Sequence, residues 1–181
     1  MSEIRIPWSN DFQLTWDDFV GPIEQNNSQM AWTHTWLDYS YDIKLVERKT
    51  QTKFEITNIK VTAYYRKSIS WVKSEMKIRS DQSKILKHEQ GHLDLAELHA
   101  RKIEKKMKDD FNGKHFSCKG KTHDEKQTFA QTRAKVLLDE IYTEGLKNWH
   151  RYESDYDEKT NHGLKDIVQI KYDSIFDKLR I

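Results

Sequence analysis

Up to about Met76, apolar residues mostly recur at every second position. Beyond it they recur every three to four, so the pattern predicts strands followed by helices. Ile4, Ile6 and Trp8 alternate with polar neighbours and predict a short strand ended by Pro7-Trp8-Ser9. Leu14 to Val20 then runs into the turn Gly21-Pro22, with Trp16 and Phe19 as core anchors, and Glu24 to Gln29 reads as a loop. Met30 to Tyr41 is rich in aromatic and β-branched residues and predicts a strand covered in part on both faces; Ile43 to Glu47 continue it or form the next strand. After a turn over Lys49 to Thr52, Phe54 and Ile56 alternate with charged residues. Ile59, Val61, Ala63 and Tyr65 hold a second alternating face, with a phase change near Asn58. Ser68 to Val72 adds a short strand. The connections suit hairpins, so the first half is expected to be mostly antiparallel sheet.

In the second half, Ser80 or Asp81 can cap a helix that runs to about Asp110, with Leu86, Leu93, Ala96, Ala100, Ile103 and Met107 as its buried stripe. Phe111-Asn112-Gly113 stops it. His115, Cys118 and His123 come next, in a loop, and lack a metal-ligand spacing. A second long helix carries one stripe from Ala130 through Leu138, Gly145 and Trp149 to Tyr152, and should pack against the first. Tyr156 to Gly163 has the turn chemistry of a helix end, and Leu164 to Leu179 predicts a last helix. The expected architecture is a single α+β domain over residues 1–181, with a sheet region over about 3–77 and a helical region over about 80–181.

Inside the first long helix stands His88-Glu89-Gln90-Gly91-His92, an instance of H-E-x-x-H. At about 100° and 1.5 Å per residue, His92 lies roughly 40° around from His88 and about 6 Å further along, so both imidazoles can bind one zinc ion. Glu89, on the flank of that face, can take a proton from a water that the ion polarises. A catalytic zinc takes three protein ligands as a rule, and the motif supplies two. His99 lies about 10 Å up the helix from His92, too far to share the ion. The extended metzincin pattern would need Gly at 95 and His at 98, and both are Leu. Glu97 points about 180° from His88. Asp124, Glu125, Glu140, Glu144, Glu153, Asp157 and His162 remain as downstream donors.

Composition narrows the partners. With 33% charged and 36% hydrophobic residues the surface is heavily solvated, yet 6 Trp, 8 Tyr and 7 Phe furnish a core and argue against disorder. A net charge of +2 gives no indication of nucleic acid. The single cysteine, Cys118, excludes an internal disulfide, and no apolar run approaches the roughly 18 residues of a membrane span. As written, the start has no apolar core of an export signal.

Four blocks carry a family resemblance: Leu14-Thr-Trp-Asp-Asp-Phe-Val-Gly21, Ser70-Trp71-Val72, Leu86-Lys-His-Glu-Gln-Gly-His-Leu-Asp-Leu-Ala-Glu97, and Tyr156-Asp157-Glu-Lys-Thr160-Asn-His162-Gly163. Together they resemble the bacterial domain-of-unknown-function family 922, whose members are suspected secreted zinc-dependent proteases. The resemblance implies a zincin-like fold: a twisted sheet, an active-site helix beside it, and a second helix that brings the third ligand. It points to the last block, with His162 the best match, and it implies an exported or periplasmic protein if a signal was removed. The residues agree on His162, which comes after a helix end beside Gly163 and can swing its ring toward a metal. Asp157, in the same turn, is the competing ligand. The Tyr156 hydroxyl can donate to the oxygen of a tetrahedral intermediate.

The expected activity is that of a zinc metallopeptidase acting on a peptide or protein substrate. Zinc is held by His88, His92 and His162, Glu89 is the general base, and Ser68 to Val72 is the candidate edge strand for the substrate. Two rival classes stand beside it: a zincin-like metal-binding module without turnover, and a zinc hydrolase of a non-peptide amide. An intact Glu89 disfavours the first.

Overall fold

The two out-of-phase faces around Asn58 belong to one strand. A computed structural model describes residues 3–24, 27–47 and 51–181; Lys49 and Thr50 of the expected turn and Gln25 and Asn26 of the expected loop lie outside them. The strands of the first half are β1 (Arg5–Pro7), β2 (Ala31–Trp32), β3 (Thr35–Glu47), β4 (Thr52–Arg66) and β5 (Trp71–Val72). Along β4, Phe54 and Ile56 are buried on even positions, and Ile59, Val61, Ala63 and Tyr65 on odd ones. Between them Asn58 adopts a left-handed backbone, φ 51°, which resets the side-chain phase without ending the strand. Its amide donates to Asp42 Oδ2 at 2.7 Å.

The expected strand from Met30 to Tyr41 is divided. His34 leaves the ladder because its N–H donates to the Ser70 hydroxyl (2.9 Å) and its carbonyl accepts from Arg66 N–H (2.9 Å). On the N-terminal side of His34 lies β2, paired antiparallel with β5 in register Ala31↔Val72. On its C-terminal side β3 begins and continues through Ile43 to Glu47. A second sheet has the order β1-β4-β3, with Arg5 opposite Arg66.

The helices are α1 (Gln82–Phe111), α2 (His123–Thr160) and α3 (Asp166–Phe176). Between α1 and α2 the loop reading missed β6 (Phe116–Ser117), which pairs antiparallel with β4 and sets the Phe116 ring 5.3 Å from Phe54. Two residues with one apolar side chain carry no periodicity to find. The architecture is α+β, antiparallel strands first and long helices after. Among the described residues no helix is long and apolar enough to cross a membrane.

The chain divides into two compact units: Met1–Asp38 with Thr62–His99 and Trp149–Ile181, and Tyr39–Val61 with Ala100–Asn148. In the second, Phe54, Phe111 and Phe116 pack together, and the Tyr39 hydroxyl bonds to Asp139. In the first, every residue of α1 from His88 to Ala96 is buried, polar ones included. Burial of so many polar groups requires partners. Gln90 Oε1 accepts from Leu14 N–H at 2.7 Å, and Asp94 Oδ1 accepts from the Trp8 indole at 2.7 Å and from Arg180. Leu93 packs with Leu14, Phe19, Tyr65 and Met76, while Leu95 packs with Tyr156, Phe176 and Leu179. The helix that bears the motif is therefore gripped on both flanks.

Asn58→Gly should leave stability within about 0.5 kcal/mol, because Gly adopts φ > 0 freely. Asn58→Val should cost about 1–2 kcal/mol, because a β-branched residue is strained there. Urea unfolding midpoints check this; equal midpoints for the two variants would contradict it.

Candidate metal centre

α1 presents His88, Glu89 and His92, and the last turns of α2 present Glu153, Tyr156, Asp157 and Thr160, all within the first unit. α2 does not stop before Tyr156, because Asp157-Glu-Lys continue a helix as readily as they begin a turn. It stops at Thr160, where Asn161, His162 and Gly163 take left-handed φ values of 51°, 52° and 82°. Gly163 is required twice over: by that φ, and because a Cβ would stand 2.7 Å from the Cβ of His88. Gly91, inside the motif, has Tyr156 against it, and a Cβ there would meet the phenolic oxygen at 2.0 Å.

Nε2 of His88 and Nε2 of His92 each lie 3.0 Å from the same atom, Asp157 Oδ1. The ring planes are nearly perpendicular, 82°, with centroids 4.9 Å apart. The other ring nitrogens are held from behind. His88 Nδ1 faces Gln169 Oε1 and Thr160 Oγ1, each at 3.3 Å. The Thr160 hydroxyl donates to the Tyr156 carbonyl (2.6 Å), so both groups accept from Nδ1–H and the Nε2 lone pair turns toward Asp157. His92 Nδ1 faces Glu153 Oε1 at 3.3 Å. A lone pair set against a carboxylate oxygen needs a cation or a proton there.

The electrostatics point the same way. Burial lowers the His92 pKa, but hydrogen bonds to Asp157 and Glu153 outweigh it and hold the pKa well above the ordinary value. Burial raises the Asp157 carboxyl, yet its contacts with the His88 and His92 rings outweigh it and hold it far below the usual carboxylate range. Surroundings that favour a proton on His92 favour positive charge at this place. The spacing is that of hydrogen bonds, and it is also compatible with ligands that share one ion. Ligands of a tetrahedral ion at about 2.0–2.1 Å stand about 3.3 Å from one another, close to the observed 3.0 Å.

The expected residues separate in their placement. His88, Glu89 and His92 stand together on α1. Glu89 is buried, and its Oε2 has no hydrogen-bond partner among the described residues. His162 sits at the rim, its side chain 49% exposed, with Nδ1 3.5 Å from Asp157 Oδ1. Ligand atoms of His88, Asp157 and His162 all fall within 4.8 Å of one another. Tyr156 is fully buried behind the histidines, its ring stacked on His88 at 4.5 Å. Its hydroxyl donates to the His88 carbonyl (3.2 Å) and accepts from Gln169 Nε2 (2.8 Å), so the structure gives it a supporting place and none in the cavity.

A cavity of about 210 Å³ opens in front of the cluster. Five of the chain's 8 histidines line it: His34, His88, His92, His150 and His162. Burial keeps the His34 pKa below its ordinary value, so this ring is neutral near pH 7. Thr33 Oγ1 and Trp149 Nε1, both on lining residues, are buried without a partner among the described residues. Sequence reading missed His34, Thr33 and Trp149; no spacing ties them to the motif. The segment expected to flank the site, Ser68 to Val72, does not line the cavity, since Trp71 and Val72 are buried in β5 against β2. Ala31 to Thr35 line it instead.

A family model described as "Bacterial protein of unknown function (DUF922)" matches residues 17–163. No curated protein and no solved structure matches the chain.

Gly91→Ala should cost about 1–3 kcal/mol by driving a methyl into Tyr156. Tyr156→Phe, by removing the phenolic oxygen that this methyl meets first, should recover part of that loss in the double variant. Denaturant unfolding of the four proteins measures the coupling; strictly additive losses would contradict the contact.

Proposed function

The chain belongs to the bacterial family of unknown function DUF922; from the geometry of its site we propose that it is a zinc-dependent metallopeptidase with a zincin-like site. The observation that carries the proposal is the convergence of both motif imidazoles on Asp157 Oδ1, beside a buried Glu89 with an unpartnered oxygen. His88, His92 and Asp157 would hold the ion, with His162 the competing third donor at the rim. Zinc there would supply a Lewis acid that lowers the pKa of water and polarises a scissile carbonyl.

The residues of the chain do the rest. Glu89 removes the proton of the attacking water and returns it to the leaving amine. A buried carboxylate oxygen without a partner is costly, and a site that moves protons or binds a ligand can make use of it. Gln169 and Thr160 fix the His88 tautomer, and Glu153 orients His92, the supporting contacts a metal-binding imidazole needs. The substrate main chain is offered an edge. Lys73 N–H donates to the Met30 carbonyl, so Met30 and Trp32 direct their backbone groups at β5. Ala31 and Thr33 direct theirs the opposite way. An extended peptide can pair with that edge while its carbonyl faces the histidines.

Elemental analysis after reconstitution near neutral pH should find one zinc per chain. Digestion of a peptide library should depend on zinc loading, and Glu89→Gln should keep the metal and lose about 10²–10⁴-fold in rate. A chain that takes up no zinc, or a Glu89→Gln variant that cleaves at the parent rate, would overturn the proposal. Asp157→Asn should weaken zinc binding more than His162→Ala does. Loss of an outer partner costs about 10–100-fold, and loss of a ligand should cost more. The reverse order in a competition titration would make His162 the third ligand.

A further inference from the structure

A second cavity, of about 260 Å³, shares a wall with the one in front of the histidines. Glu89 and His162 line both, as do Gln29 and Ala31. Its chemistry is different. Met30, Met76, Ile85 and Leu164 make its surface mainly aliphatic, where the first cavity is mainly imidazole and carboxylate. The charged pair in its lining, Arg79 and Asp81, is joined: two guanidinium nitrogens bond to the two carboxylate oxygens at 2.8 and 2.6 Å. Apart from that pair, the ionisable groups in the lining are Glu89 and His162, both on the wall shared with the first cavity. The space is several times the roughly 30 Å³ that a water takes in the liquid, enough for a side chain of four or five heavy atoms. Two thioethers in the lining adapt readily to the outline of such a group.

We propose that this cavity is the side-chain subsite of the neighbouring centre and takes an aliphatic residue, of the leucine or methionine class, next to the bond that is cut. That the side chain belongs to a peptide rests on the peptidase reading; that the cavity binds an aliphatic group does not. A main chain paired with the edge at Ala31 and Thr33 passes the shared wall, where one residue can turn its side chain past Glu89 into the aliphatic space while the adjacent carbonyl faces His88 and His92. Specificity then comes from burial, with Glu89 excluding an acidic side chain by like charge.

The test uses zinc-free full-length protein labelled with ¹³C at the methionine methyls, of which the chain has 4. N-acetyl-leucinamide should shift the Met30 and Met76 methyls saturably and leave Met107, in the other unit, unmoved. N-acetyl-glycinamide should bind at least about tenfold more weakly. Ile85→Phe, which narrows the cavity, should abolish the response; if that variant fails to fold, Leu164→Ser, at an exposed rim position, should weaken it. Equal responses to the leucine and glycine compounds, tighter binding of N-acetyl-lysinamide, or no saturable shift at Met30 and Met76 would overturn the assignment. With zinc-loaded protein, cleaved library peptides should be enriched in leucine or methionine at one position flanking the cut, and a flat distribution would also overturn it. Absence of any cleavage would remove the peptidase reading, while the methyl titration still decides the cavity.

Discussion

Asp157 Oδ1 stands 3.0 Å from a ring nitrogen of His88 and 3.0 Å from one of His92. Two imidazoles and a carboxylate brought this close, and largely out of water, favour positive charge among them. That charge can be a proton on His92 or a divalent ion. The first unit is arranged around the need to hold these three groups in place. α1 brings two of them, the end of α2 brings the third, and the glycines at 91 and 163 let the helices and the turn approach closely enough. A side chain at either glycine would push Tyr156 or His88 out of position.

The support extends well behind the cluster. Gln169 of α3 accepts from His88 and donates to both Tyr156 and Asp173, so α3 reaches the centre through a chain of hydrogen bonds. Gln90 and Asp94, the other polar residues of the motif stretch, reach the opposite way, to Leu14, Trp8 and Arg180. Each hydrogen bond contributes about 1 kcal/mol net, but a buried polar group left alone costs more than that, so the network enforces one arrangement more strongly than its sum suggests. Glu89 Oε2 breaks this pattern, buried and without a partner among the described residues, at the position where the proposed chemistry wants a base. Exceptions of that kind concentrate where a site must act.

Much of this was legible in the sequence because it is local. The H-E-x-x-H spacing, the stripe of α1 and the phase change at Asn58 each lie within one element, where period and geometry suffice. The burial of Tyr156 was less legible: the α2 stripe was read only to Tyr152, which is itself exposed, and Tyr156 was given to the turn that follows. What was hidden depends on long-range pairing. His34 and Thr33 enter the cavity because β2 pairs with β5 and the chain then breaks away toward Ser70 and Arg66. β6 exists only because β4 offers it a partner. The end of α2 falls inside the block read as a helix end, at Thr160, and the left-handed run at Asn161 to Gly163 sets the exact residue, which Asp, Glu and Lys, serving helices and turns alike, left open.

The most direct measurement is a crystal structure of the zinc-reconstituted protein with anomalous data collected at the zinc edge. A single strong peak is expected between His88, His92 and Asp157, with both imidazoles bonded through Nε2 and the carboxylate oxygen at about 2.0–2.2 Å. A peak elsewhere on the chain, no peak at all, or coordination through Nδ1 of either motif histidine would contradict the arrangement.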